Sequence, residues 1–193
     1  MPLTTRAVVV PQWYAEVGAT LPRGTVVLAY PLAFSGLQSS QAWQAVDHMR
    51  WAQAGGGGPE GQPGRAGRAR PGFDVLLDAS LPLGPPPAPS PSNLAAIREA
   101  LRLWEVTTIV VPDQAGLPPY EQGRSAAYAV ALFTAALGRR PSYDHSAWVW
   151  SAVAHRRASI PLDDTTFAHC VTGPPSTASS RQAVPSCVLS AGR

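Results

Sequence analysis

"GTVVLAYP", residues 24–31, decides how the rest of the chain reads. A short apolar run rich in β-branched residues, closed by a glycine on one side and a proline on the other, has the pattern of a strand buried in a sheet. The next stretch, "SSQAWQAVDHMRWAQ" (39–53), changes period. Ser39 or Ser40 offers an N-cap, and Ala42, Ala45, Val46, Met49 and Ala52 fall on one helical face.

The alternation continues. "FDVLLDASL" (73–81) reads as a second strand, and the proline-rich "PLGPPPAPSPS" after it as a stiff extended connection. "NLAAIREALRLWEV" (93–106) is a helix with an apolar stripe of Leu94, Ile97, Leu101 and Trp104. Glu99 and Arg102 on its wet side are spaced to pair. "TTIVVPD" (107–113) is almost wholly β-branched, as a central strand covered on both faces requires. A helix capped by Ser125 and stopped by Gly138 follows, and "AWVWSAV" (147–153) alternates as a fourth strand. This order predicts a small Rossmann-like three-layer α/β domain with right-handed crossovers. Its sheet has about four mainly parallel strands in the order 2-1-3-4, with flanking helices. The domain spans 1–157, with 1–22 as a lead-in segment, and 158–193 is a loop-rich C-terminal tail.

The bulk composition agrees with one folded body. Of 193 residues 45% are apolar, enough to build a core, while 21 prolines and 17 glycines require long irregular connections. Fifteen arginines, no lysine and twelve acidic residues leave a net charge of +3, thinly spread apart from Arg65, Arg68 and Arg70. A nucleic-acid binder gathers its charge on one face among aromatics, so no nucleic acid is expected as a partner. The longest apolar helix pattern, 126–138, is too short to span a bilayer, and the first residues do not form a convincing secretory signal.

"AGGGGPEG" (54–61) looks at first like a phosphate cradle. A P-loop needs a strand before it, Lys-Ser/Thr within it and a helix after it, and the dinucleotide fingerprint needs its glycines directly after the first strand. Neither context is expected here. What remains is a long connection in which Gly56 and Gly57 bring backbone N–H groups together and Arg65 and Arg68 offer forks for a phosphate or carboxylate, or else a solvated flexible loop.

Open parallel sheets bind ligands beyond the carboxyl ends of their strands, where the strand order reverses. That rule selects Tyr30, Ser35, Gln38 and Gln41 from one side and Asp113, Gln114 and Tyr120 from the other, a mixture suited to sugar hydroxyls. The alternative for each is a helix cap or a loop tie. Trp43, Trp51, Trp148 and Trp150 are read as core, the last two covering a helix from one face of their strand. No catalytic constellation is expected: Asp47 and His48 point apart on a helix, the histidines lack metal-ligand spacing, and no serine lies in a nucleophile elbow. No cofactor and no metal is expected either. Cys170 and Cys187 are the only cysteines, and a disulfide between them would close a short loop, worth about 3 kcal/mol in the chain-entropy account. The other reading is two free thiols.

The ordered set "LPRGTVVLAYPLAFSGLQSSQAWQAVDHMRWAQAGGGGPEG", "VTTIVVPDQAGLPPYEQG", "YAVALFTAALGRRPSY" and "AWVWSAV" resembles the soluble extracytoplasmic C-terminal region of polytopic membrane proteins of high-GC bacteria, similar to glycosyltransferases of the GT-C type. The resemblance covers about residues 9 to 190, including "FAHC" and "VPSCVL". It implies a glycan or polyprenyl-phosphate sugar as partner, attachment to the membrane through helices upstream, and an extracytoplasmic location suited to a disulfide. The catalytic carboxylate of such enzymes lies between membrane helices, so the resemblance implies a module that is not catalytic alone. Two other classes stand beside it: a free-standing Rossmann-like nucleotide- or phosphate-binding enzyme, and a structural interaction domain using the proline-rich connection and exposed tryptophans.

Overall fold

A computed structural model describes residues 7–33, 39–55 and 63–153, with backbone alone for 63–70. The elements run α1 (Gln12–Glu16), β1 (Val26–Ala29), α2 (Ser39–Val46), β2 (Ala52–Gln53), α3 (Pro63–Ser80), α4 (Pro91–Leu103), β3 (Thr108–Pro112), α5 (Ala126–Leu137), β4 (Ser142–Asp144) and β5 (Ala147–Ser151). Their single open sheet has the order β2-β1-β3-β5-β4.

Strand β3 is buried at all five positions, between β1 on one side and β5 on the other. The two-residue alternation of strands sorts the apolar side chains to two faces. Leu28, Ile109, Val111 and Trp150 face a core shared with α3, α4 and α5. Val27, Ala29, Val110 and Val149 face a second core made with Trp13 and Tyr14 of α1, Trp43 of α2 and Trp51. The predicted three-layer α/β arrangement is therefore present. Within the stretch expected as a lead-in, 1–22, α1 contributes Trp13 and Tyr14 to that second layer.

Helix α5 explains the depth of the first core. Every side chain from 128 to 137 is buried, as in a helix enclosed on all sides. Ser125 caps it through the Tyr128 N–H, and Gly138 ends it at φ 62°, in the left-handed region that glycine enters without strain. Helix α4 also follows its reading closely. Ser90 caps it by accepting from the Asn93 N–H, Ile97 and Leu101 are buried, Leu94 and Trp104 pack beside them, and Arg102 grips Glu99 at 2.7 Å on the exposed side.

Three expectations are corrected. The stretch 73–81 is not a strand: residues 73–80 are the second half of α3, so the expected order 2-1-3-4 does not hold as stated. The reason lies in its period. Gly72, Leu76, Ala79 and Ser80 are buried at helical spacing, whereas a strand would have set exposed Asp74 and Asp78 on the same face as buried Leu76. The place beside β1 is taken instead by β2, which had been read as the end of a helix. Helix α2 stops early because His48 and Met49 adopt φ 53° and 55°, turning the chain into the strand.

The sheet is also mixed rather than mainly parallel, and it has five strands. β1 pairs in parallel with β2 and β3, but β5 runs antiparallel to β3, and β4 antiparallel to β5. The cause is a tight hairpin. His145 and Ser146, both at positive φ (43° and 59°), form a two-residue turn of the kind that joins antiparallel neighbours. The chain reaches that turn through β4 and returns through β5 beside β3. Trp148 and Trp150 do share the α5 side of the sheet, and Trp43 and Trp51 are fully buried. Residues 158–193, with Cys170 and Cys187, lie outside the described residues.

Gly72 sets the closest approach of α3 to α4, since a Cβ there would stand 2.2 Å from the Ala96 carbonyl oxygen and 2.6 Å from the Ala100 Cβ. Helix propensity favours alanine over glycine by about 1 kcal/mol. Overpacking against backbone costs about 1–3 kcal/mol and cannot be relieved by a rotamer change. The Gly72→Ala variant is therefore expected to be less stable by up to about 2 kcal/mol, read as a lower urea midpoint at unchanged slope.

Candidate functional site at the carboxyl edge

The carboxyl ends of the parallel strands β1, β2 and β3 lie at one edge of the sheet. The connections that leave β1 and β2 there carry four of the predicted site residues, Ser35, Gln38, Gly56 and Gly57, and all four lie outside the described residues.

Tyr30 is where the strand pattern put it, but it is core. Its hydroxyl is shared between the Ala79 and Arg124 carbonyls at 3.1 and 3.0 Å. Burial, and then the nearby Tyr128, push its ionisation far above the ordinary phenol value, so it remains a neutral donor. Asp113 closes a turn by accepting the Ala115 N–H at 3.0 Å. Gln114 is buried and donates through Nε2 to the Arg124 carbonyl, while its own carbonyl accepts from Gln122 Nε2. These three are loop ties, the alternative weighed for each. Gln41 is half-buried on the first turns of α2. Tyr120 is 46% exposed, and its hydroxyl donates to the Ala7 carbonyl at 3.2 Å.

Arg65 and Arg68 do not join this group. The end of α3 that meets the carboxyl edge is its last turn, where Ser80 Oγ accepts the Leu32 N–H at 2.9 Å. At 1.5 Å per residue Arg65, fifteen residues earlier in the helix, lies about 22 Å away along the axis. Arg124, which does reach the last turn of α3, donates to the carbonyls of Asp78, Leu83 and Gly84. The bond to Asp78 caps an orphan carbonyl in the last turn of α3, and the other two hold the loop that follows.

Residues that sequence reasoning missed stand at the same edge. Glu121, in the 3-10 turn Pro119–Glu121, is only 1% exposed. Its Oε1 accepts the Val9 N–H at 3.3 Å, and its Oε2 is buried without a hydrogen bond of normal geometry among the described residues. Burial raises its ionisation above the ordinary carboxylate value, against the opposing pull of the Val9 N–H and the Ser39 side chain. Gln53, at the end of β2, donates to Ser40 Oγ at 2.7 Å and leaves its Oε1 buried and unpaired among the described residues. Glu121 and Gln53 thus meet the first turn of α2 through Ser39 and Ser40. Glu121 was hidden in a loop whose polar residues carry no periodic signal. The one available hint was a lone acid inside "PPYEQGR".

No family model, curated protein or solved structure matches the chain. What the edge can do must therefore be read from its own atoms. Unpaired buried acceptors favour a donor partner, because each costs about 1–3 kcal/mol while unsatisfied. Among the described residues no group of three His, Cys, Asp or Glu side chains converges as a metal site, and no helix is long and apolar enough to cross a membrane.

The other buried carboxylate, Asp47, has a structural role. Its Oδ2 accepts the Trp51 Nε1–H at 2.7 Å, and a Cβ on Gly18 would stand 2.0 Å from that oxygen. Tyr14 stacks on Trp43 at 4.8 Å beside it, and its phenol is held far above its ordinary ionisation by burial and by Asp47. His48, its neighbour in sequence, is exposed.

A carboxyl whose folded pKa is raised binds its proton more tightly in the native state than in the unfolded state. The native state is therefore favoured below the ordinary carboxylate pKa and loses that advantage as pH rises through the interval up to the raised value. The Glu121→Gln variant is accordingly expected to melt higher than the parent at neutral pH, with the gap closing as pH falls into the ordinary carboxylate range. Equal shifts at every pH would contradict this assignment.

Proposed function

We propose that the chain is a non-catalytic soluble module of a membrane glycosyltransferase-like protein, held at the extracytoplasmic face through segments upstream, which binds or positions a glycan or lipid-linked sugar at the carboxyl edge of its parallel strands. The observation that carries the binding half of this reading is the composition of that edge. Amide, hydroxyl and carboxylate side chains meet there, and two buried acceptors, Glu121 Oε2 and Gln53 Oε1, lack a hydrogen bond of normal geometry among the described residues, Glu121 having only the Ser39 side chain beside it. Sugars present many donor hydroxyls, and a small number of well-placed polar groups in an otherwise apolar setting is how small-ligand sites fix orientation. The membrane half rests on the ordered motifs of the sequence.

Among the described residues, the edge favours this over the nucleotide reading. Phosphate recognition calls for guanidinium forks or converging N–H groups. Here Arg124 is engaged with three backbone carbonyls and Arg65 lies far down α3.

Calorimetric titration of the purified chain with neutral oligosaccharides, a polyprenyl-phosphate sugar and nucleotides tests the proposal. Binding of a sugar-bearing ligand is expected, weakened about tenfold by Gln53→Ala, which removes one hydrogen-bonding amide worth about 1–1.5 kcal/mol. Nucleotide affinity that is lost on Arg68→Ala, without sugar binding, would reject it.

A further inference from the structure

The segment of residues 7–10 lies against the carboxyl edge as an extended strap, and the way it is held is unusual. Both backbone groups of Val9 are taken by side chains from separate elements. Its N–H donates to Glu121 Oε1 at 3.3 Å, and its carbonyl accepts the Trp43 Nε1–H of α2 at 2.9 Å. Two residues earlier the Ala7 carbonyl accepts the Tyr120 hydroxyl at 3.2 Å. The strap's own side chains contribute little, since Val8 and Val9 are 44% and 41% exposed. Apolar anchoring begins only at Val10, which packs against the aromatic core, and at buried Pro11. Ahead of that anchor the strap is a backbone peptide held by polar groups, with almost no buried apolar area to retain it.

Those polar groups form a matched set. Glu121 supplies acceptors, one of them without a hydrogen bond of normal geometry among the described residues; Trp43 supplies an indole donor; Tyr120 supplies an aromatic face that Tyr120→Phe would keep. A hydroxyl group can donate one hydrogen bond and accept others, so neighbouring hydroxyls reproduce both halves of the Val9 peptide at once. A phosphate would bring only acceptors against the carboxylate.

We propose that the strap covers a binding site for a neutral polyhydroxyl ligand, in which vicinal sugar hydroxyls replace the Val9 N–H at Glu121 and the Val9 carbonyl at Trp43. This inference rests on the reading of the carboxyl edge as a glycan site and adds to it the contacting residues, the preference for an uncharged sugar unit, and competition between strap and ligand. Trp43 and Glu121 are the contact residues, Tyr120 flanks them, and the strap lowers the observed affinity by the fraction of molecules in which it is seated.

The test uses three strap variants of the full chain: deletion of residues 1–9, Val9→Pro, which removes the N–H that Glu121 holds, and Tyr120→Phe, which removes the bond to Ala7. Val10 and Pro11 are kept in all three, and near-ultraviolet circular dichroism checks that the tryptophan core is intact. Should the deletion fail to fold, the two point variants carry the experiment. A panel of neutral di- and trisaccharides is titrated by calorimetry, and exchange of the Val9 amide hydrogen is followed by NMR. The tightest-binding saccharide is expected to bind the deletion variant about tenfold or more tighter than the parent, with smaller gains for the point variants. Saturating saccharide should speed Val9 exchange in the parent, and Glu121→Ala should weaken binding in the deletion background about tenfold or more. Saccharide binding of equal strength with and without the strap, at unchanged Val9 exchange, would overturn the covered site and leave the glycan reading standing. Absence of binding to parent and strap variants alike would overturn both.

Discussion

The burial of β3 on both faces and along both sides is the constraint from which the rest of the architecture follows. Five consecutive buried positions need apolar cover above and below and hydrogen-bonding partners left and right. β1 and β5 supply the partners. The enclosed helix α5, backed by α4, covers one face, and the aromatic group of Trp13, Tyr14, Trp43 and Trp51 covers the other. The two covers differ in kind. One is regular helix packing, while the other is assembled from short pieces pinned by specific bonds such as Asp47 to Trp51 and Trp43 to Val9.

That difference links core to candidate site. Because the second cover recruits residues from the beginning of the chain, the strap must cross the carboxyl edge to bring Trp13 and Tyr14 under β1 and β3. Glu121 is buried partly for this reason, and its raised ionisation records the burial. The same geometry that completes the fold thus closes over the polar groups best able to hold a ligand. The physical tension is between satisfying Glu121 from within and leaving it open to a partner from outside.

Much of this was legible in the residues. Strong, long-range period carried β1, β3, α4 and α5 to within a few residues, and Ser125 and Gly138 cap and stop α5 as read, while Ser90, read as part of the proline-rich connection, is the cap of α4. The failures have definite causes. "FDVLLDASL" holds an apolar run that suits either element, and only the mismatch of Asp74 and Asp78 with Leu76 points to helix. β2 and β4, two and three residues long, are shorter than any periodic signal can register. For the site, strand ends led to the carboxyl edge, and there to residues such as Tyr30 and Gln114 that the fold uses internally. Glu121 and Gln53 emerge only from three-dimensional bookkeeping of hydrogen bonds, because nothing in their spacing distinguishes them from solvated loop residues.

The two outermost strands have one more consequence. An exposed β-edge invites a neighbouring molecule to add its own backbone to the ladder, and the hazard grows with edge length. Among the described residues the margins offer two residues at β2 and three at β4, the latter in a hairpin whose tip carries Asp144 and His145. Copies crowded side by side would find at these two margins almost no template on which to polymerise.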